Sequence, residues 1–264
     1  MSSWREFETE WTNYLNANYG ELASFEHVGD ADSTSPDIKV VTISKKAFNI
    51  EVKKCPAQCG QFVLFPDDKT KTFIYSEQNS TPYNKYAKSI INHMNRHYSD
   101  FNKADKGGTD IVFANSSQIF AGWIIKTYKN KGVELFGTNN HRLFPIKDIA
   151  KHFVITAKYR IKRSGSREVG NGKIKEVTDC IGKNFKILSY KTTNDGKLFY
   201  KASSSMNKKK FTLGNDEYMF SKRGNEYEIR KLSNTYNRNV IFSVKLNKTA
   251  PSGMSDQEIK DYLK

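Results

Sequence analysis

Ser35-Pro36-Asp37-Ile38-Lys39-Val40-Val41-Thr42-Ile43, then Ser44-Lys45-Lys46, then Ala47-Phe48-Asn49-Ile50-Glu51-Val52-Lys53 is the stretch on which the fold turns. Its β-branched and aromatic runs predict strands over 37–43 and 48–53, joined by the short Ser44–Lys46 turn and so antiparallel. Along a strand, alternate side chains leave the same face, so Glu51 and Lys53 point one way. Asp37 joins them if it sits opposite in the cross-strand register. Two carboxylates and an ammonium on one sheet face are costly to gather without a task. The plain alternative is an edge-strand salt-bridge cluster.

Outward from this stretch, Trp4, Phe7, Trp11 and Leu15 recur at helical spacing. They predict an amphipathic helix over 4–19, opened by a Ser3-x-x-Glu6 capping box and closed before Gly20. A strand over 24–28 follows. Downstream, 61–65 and 72–75 read as strands broken by Pro66-Asp67-Asp68. Helices are expected over 84–98 and 117–130, the second stopping short of Gly132. Residues 133–136 and 141–145 form a hairpin-like pair. From Phe153 on, the pattern is mostly short strands separated by polar turns such as Asn171-Gly172, Asn194-Asp195-Gly196 and Arg223-Gly224-Asn225. The class is α+β with a mixed sheet, followed by further strand-rich subdomains.

The chemistry suited to Asp37, Glu51 and Lys53 is metal-assisted phosphodiester hydrolysis. Mg²⁺ prefers carboxylate and carbonyl oxygens, which makes Asp37, Glu51 and the Val52 backbone carbonyl the expected metal ligands. Lys53 would orient the attacking water or help deprotonate it, and would offset charge on the phosphate. Asp67-Asp68-Lys69 and Glu258-Ile259-Lys260 also match acid-x-Lys, but neither has an upstream strand-borne Asp. Glu6 or Glu10 on the first helix could assist the metal, although an exposed helix face is the simpler reading. Cys55-x-x-x-Cys59 has the wrong spacing for a zinc knuckle. His93 and His97 lack the Glu of a metalloprotease motif.

Charge separates the two halves. The 264 residues hold 43 Lys and Arg against 28 Asp and Glu, a net of +15. Residues 1–150 carry 18 against 17, and residues 151–264 carry 25 against 11. Nearly all the excess lies in the second part, which points to a polyanionic partner there. With 37% hydrophobic and 13% aromatic residues this is a folded chain, not a basic tail. No apolar run is long enough to span a membrane, and the charged N-terminus does not read as a signal peptide. Three cysteines make no disulfide framework and fit a reducing cytoplasm.

The helix, the strand-borne Asp and the Glu-x-Lys resemble the PD-(D/E)XK nuclease superfamily. More specifically, the chain resembles the HhaI-type type II restriction endonucleases. The residues carrying this likeness are Trp4–Glu8, Tyr14–Asn16, Asp32-Ser33-Thr34, Ile50–Lys53, Gln58–Leu64, Tyr128–Val133, Tyr159–Arg167, Leu232–Asn237 and Asn239–Ser243. The likeness fades over 170–230. It implies Mg²⁺-dependent double-strand cleavage of a short DNA palindrome, with GCGC as the expected site. It also implies a monomer that cuts the strands in turn, and a matching DNA methyltransferase as functional partner. A structure-specific or repair nuclease of the same superfamily, and a DNA-binding protein without catalysis, remain the alternatives.

Three regions are expected: a catalytic domain over 1–115, a DNA-recognition region over 116–175, and a basic strand-rich DNA-binding region over 176–264. Residues 230–246 could rejoin the recognition region. Phe153–Lys162 alternates, with Lys158, Arg160 and Lys162 on the polar face, and runs into Arg163-Ser164-Gly165-Ser166-Arg167, read as a mobile loop. Arg160, Arg163 and Arg167 are candidates to pair with guanine, with Ser164 and Ser166 beside them and Lys158 and Lys162 meeting phosphates. Tyr236, Asn237 and Arg238 either contact DNA or form a turn. Lys208, Lys209 and Lys210 read as a flexible phosphate-binding loop, or as surface charge alone. Gln58 and Gln61 either reach DNA near the cut or pack, and Gly60 between them allows close backbone approach.

Overall fold

A computed structural model of the chain describes residues 4–29, 35–249 and 253–264. The expected cap Ser3 and the Asp32-Ser33-Thr34 block lie outside the described residues. Helix α1 (Trp4–Tyr19) buries Phe7, Trp11 and Leu15 of the predicted stripe and adds Tyr19, whereas Trp4 at its start is exposed. Strands β1 (Ala23–His27), β2 (Ile38–Thr42) and β3 (Ala47–Val52) form an antiparallel meander. Val40 lies opposite Phe25 on one side and Phe48 on the other.

Strands β4 (Ala57–Asp67) and β5 (Thr72–Tyr75) pair as a hairpin. β4 starts four residues before the expected strand and runs through Pro66, which lies opposite Phe73. Helix α2 (Lys85–Arg96) starts where the Asn84 side chain accepts the N–H groups of Tyr86 and Ala87. The short α3 (Tyr98–Asn102) and β6 (Thr109–Asp110) lead to α4 (Ser116–Asn130). Strands β7 (Val133–Thr138) and β8 (Arg142–Pro145) pair antiparallel, as expected of 133–145. The short α5 (Ile149–His152) then feeds β9 (Phe153–Arg163).

Two compact units divide the chain: residues 1–160 with 238–264, and residues 161–237. This division differs from the expected three regions, because α4 and most of β9 belong to the first unit. Its first sheet has the order β1-β2-β3-β7-β8, with β3 and β7 parallel. Phe7, Trp11 and Leu15 of α1 pack on Ile38, Val40, Phe48 and Ile50 from that sheet. From α4, the ring of Tyr128 meets Phe136 of β7, 6.3 Å between centroids. Its second sheet has the order β5-β4-β16-β9-β6, where β16 (Tyr236–Leu246) brings the chain back from the second unit. Helix α7 (Asp256–Leu263), started by a Ser255–Glu258 capping box, adds Ile259 and Leu263 to the first core.

The second unit contains β10 (Ser166–Arg167), α6 (Ile174–Asn184), β11 (Ile187–Thr192), β12 (Leu198–Ala202), β13 (Lys210–Leu213), β14 (Asp216–Arg223) and β15 (Glu226–Leu232). Its sheet has the order β11-β12-β15-β14-β13, with β10 also on β15. Helix α6 is an addition to the mostly short strands expected after Phe153. Its Val177 and Ile181 complete a separate core with Leu198, Tyr200, Phe220 and Ile229. The Arg163–Arg167 loop is not free either. Ser164 N–H donates to the Thr235 carbonyl, Ser233 N–H to that of Gly165, and Ser166 and Arg167 pair with Leu232 and Lys231. No helix among the described residues is long and apolar enough to cross a membrane.

Candidate active site

Ile38 lies opposite Ile50, so continuing the β2–β3 register puts Asp37 opposite Glu51. The expected gathering is therefore met. Lys53 Nζ lies 3.0 Å from Asp37 Oδ2 and 2.6 Å from Glu51 Oε1. Asp37 Oδ2 also accepts the Val52 backbone N–H at 2.8 Å. The parallel partner β7 holds the end of β3, where Lys53 N–H donates to the Gly137 carbonyl at 2.9 Å. All three side chains line one cleft of about 730 Å³.

Burial sets the electrostatics of this group. It raises the Glu51 carboxyl above the usual carboxylate value; Lys53 pulls back only in part, and Asp37 adds to the rise. Burial opposes the Lys53 ammonium, but Glu51 and then Asp37 outweigh it, and its pKa ends above the ordinary lysine value. Lys53 is thus a cation at neutral pH and a donor toward whatever enters the cleft.

A third carboxylate, missing from the sequence reading, stands beside them. Glu8 of α1 is buried and lines the same cleft, its Oε2 3.2 Å from His27 Nε2. Burial, and next the Asp37 charge, raise its carboxyl above the usual value, while His27 and Lys53 oppose them. Gly29 makes the approach possible. A Cβ there would lie 2.8 Å from Glu8 Oε2 and 3.2 Å from the Asp37 Cα. Glu6 and Glu10 are exposed, in line with the simpler reading of their helix face, and Glu10 pairs with His141 at 3.6 Å. The legible signal was an acid on the apolar stripe: Glu8 shares a side of α1 with Trp11, Thr12 and Leu15.

The donor set fits a hard cation. Glu51 Oε2 is buried and has no hydrogen-bond partner among the described residues. A buried carboxylate oxygen left unpaired costs free energy that a cation would recover. Among the described residues no three acidic, histidine or cysteine side chains converge as a ready metal cage.

No protein-family model and no curated protein matches the chain. Among solved structures, HhaI endonuclease in complex with DNA is similar over 99% of this chain and 98% of its own, with a TM-score of 0.79 and 30% sequence identity. The chain belongs to the HhaI restriction endonuclease family.

Within this HhaI-family fold the remaining candidates fall on both units. Gln58 and Gln61 lie on β4 and line the cleft. Gln61 Oε1 accepts from Asn239 Nδ2 at 3.0 Å and from Gln58 Nε2 at 3.4 Å. Gly60, at φ +101°, lets Trp123 approach, since a Cβ would meet its ring at 2.8 Å. On β9, Lys158 pairs with Asp110 at 3.4 Å and Arg160 is half-buried. Lys162 is exposed, as is Arg167 on β10.

Arg163 pairs with Glu217 at 2.5 Å and lies 5.8 Å from the Tyr236 ring centroid. Ser164 accepts from Thr235 Oγ1 at 2.9 Å, and Ser166 accepts from Arg230 through both its backbone and side-chain oxygens. Asn237 is exposed, whereas the Arg238 Nε is buried with no hydrogen-bond partner among the described residues. Lys208 and Lys209 are exposed and Lys210 pairs with Glu217 at 3.4 Å. The loop that carries them is anchored beside them. Met206 is buried in the second core, and Lys208 N–H donates to the Phe220 carbonyl.

The discounted groups have structural surroundings. Burial raises the Cys55 thiol, and pushes that of Cys59 up to about 12, so neither is a ready thiolate. His93 stacks on Phe113, 4.8 Å between centroids.

Proposed function

We propose that this protein is a type II restriction endonuclease of the PD-(D/E)XK superfamily, making sequence-specific double-strand cuts in DNA by Mg²⁺-dependent phosphodiester hydrolysis, with GCGC as its site. One observation carries the reading: Asp37, Glu51 and Lys53 meet within hydrogen-bond distance in a cleft of an HhaI-family fold. A salt-bridge cluster kept only for stability would pair both Glu51 oxygens, and the unpartnered Oε2 argues against it.

Asp37 and Glu51 would hold the ion, with the Val52 carbonyl as a third oxygen. In an extended strand a residue's N–H and C=O face the same side, and the Val52 N–H faces Asp37. Bound there, Mg²⁺ would lower the pKa of a water and polarise the phosphate. Lys53, held as an ammonium, orients the attacking water and offsets charge on the phosphate rather than acting as base. Glu8 adds negative charge at the edge of the group. The DNA grip is assigned to the basic face of β9 and the Arg163–Arg167 hairpin, with Gln58 and Gln61 near the cut. The chain acts as a monomer with one active site, in a cytoplasm where a methyltransferase protects the host's own sites.

The test is incubation of plasmid DNA with the protein and Mg²⁺. Discrete fragments ending at GCGC are expected. A smear would make it a nonspecific nuclease, and intact DNA that still binds the protein would sink the enzyme reading.

A further inference from the structure

Lys53 is not the only cation turned to this cleft. Helix α4 ends at Asn130, and Lys131 caps it, its N–H donating to the Lys129 and Tyr128 carbonyls. Lys131 lines the same cleft as Asp37 and Glu51, and its charge acts on the Glu51 carboxyl. Its ammonium lies 5.8 Å from the Tyr128 ring centroid, over a residue that is itself buried and accepts from Cys59 Sγ at 3.4 Å.

This position is built by the strand that carries the candidate catalytic pair. Asn49 precedes Glu51 by two residues and shares its face. Its Nδ2 donates to the Lys131 carbonyl at 2.6 Å, and its backbone N–H to the Gly132 carbonyl at 2.9 Å. The β3–β7 ladder shifts register between Asn49 and Ile50, at the residue that makes this reach. Gly132 takes φ +68°, and a Cβ there would stand 3.1 Å from Asn49 Nδ2. One strand therefore presents Glu51 and Lys53 and also grips the turn that presents Lys131.

The charge inventory gives that grip a purpose. The Lys53 ammonium is already engaged by two carboxylates, and Glu8 brings a third into the cleft. Lys53 and a divalent ion on Asp37 and Glu51 would together balance the three carboxylates, which leaves the charge of an entering phosphodiester for a further cation to answer. We propose that Lys131 contacts a non-bridging phosphate oxygen of the DNA strand being cut, and that Asn49 is a positioning residue acting through it. This rests on the nuclease reading above.

The test compares wild type, Lys131→Met, Lys131→Arg, Asn49→Ala and the double variant Asn49→Ala/Lys131→Met. Single-turnover cleavage of a GCGC duplex in Mg²⁺ is measured first, then binding of the same duplex without metal across a salt series. Lys131→Met should slow cleavage roughly 100-fold. It should also reduce the slope of log affinity against log salt by about 0.9, the share of one phosphate contact. Lys131→Arg should recover most of both, and the double variant should cut no more slowly than Lys131→Met alone. Wild-type cleavage and salt slope in Lys131→Met would overturn the proposal. So would Lys131→Arg as impaired as Lys131→Met, or additive losses in the double variant. If wild type cuts and Lys131→Met matches it, this inference falls alone; if wild type leaves the duplex intact, the nuclease reading falls with it.

Discussion

Asp37 accepts the backbone N–H of Val52 at 2.8 Å, so a side chain at the entrance of β2 is tied to the main chain of β3. Its carboxylate therefore has two duties, one electrostatic and one structural. Asp37→Ala removes both. Cleavage should be abolished, and thermal or denaturant unfolding should register about 1–3 kcal/mol lost for the orphaned Val52 N–H. Asp37→Asn keeps an acceptor for Val52, so it should lose cleavage yet unfold close to wild type. Specific DNA binding without metal should survive both changes, and wild-type turnover in either would refute the assignment.

Glu8 shares the cleft with Asp37, and its carboxyl is raised above the usual value by burial first and then by the Asp37 charge. Replacement by Gln should raise the Mg²⁺ concentration needed for half-maximal cleavage while leaving metal-free DNA affinity unchanged. A Mg²⁺ titration identical to wild type would confine Glu8 to a structural role.

Glu51 should set the acid side of the pH profile. Its carboxyl is raised, so the ionised form is lost as pH falls, and lost earlier than for an ordinary carboxylate near pH 4. The rate should therefore decline on acidification at pH values above that range, before the fold itself fails. Single-turnover rates against pH, with circular dichroism at each point, check this.

In the second unit Glu228 is buried and held by two guanidiniums, with Arg230 Nη1 at 2.6 Å and Arg223 Nε at 2.9 Å. Burial raises its carboxyl, but the hydrogen bonds from Arg230 and Arg223 outweigh it, and the net shift is downward. A lowered folded-state pKa adds stability that is present above the unfolded value and lost as pH falls through the folded one. Glu228→Gln should thus destabilise this unit at neutral pH by about 1–3 kcal/mol, because the partly buried Arg230 loses its nearer carboxylate while Arg223 is exposed and Glu168 remains beside Arg230. The difference from wild type should shrink on acidification, as followed by denaturant melts at several pH values.

Arg160 and Arg163 are candidates for base contacts but differ in what they must give up. Arg163 is already paired with Glu217, whereas no ion pair to Arg160 is seen among the described residues. Arg160→Ala should cost about 1–3 kcal/mol on the specific site and little on random DNA. Arg163→Ala should cost less, since that arginine breaks an existing pair to reach DNA. Equal losses on specific and random DNA would make either residue a phosphate anchor.

The first three strands were legible because Ile38 and Val40 alternate against Phe48 and Ile50 across a tight turn, which leaves one register that buries all four. That register delivers Asp37 to Glu51. Glu8 was hidden for the opposite reason: helical periodicity assigned its side of α1 to the core, and in a core stripe an acid reads as noise. Helix α6 went unread because Val177 and Ile181 are its only fully buried positions, and Asn171-Gly172 before it looks like a hairpin turn. The boundary at 160–161 was invisible because β9 continues its run of residues straight through it.

Strands β9 and β16 carry the chain out of the first unit and back, and they are neighbours in one sheet. Adjacent strands stand about 5 Å apart, a gap that a two-residue hairpin can bridge. Residues 161–237 are therefore a detour whose exit and return share a doorway. The entropy of closing a loop grows only slowly with its length, so such a detour can lengthen, shrink or be exchanged at little thermodynamic penalty to its host. Selection can then rework that segment while the sheet holding Asp37, Glu51 and Lys53 stays as it is.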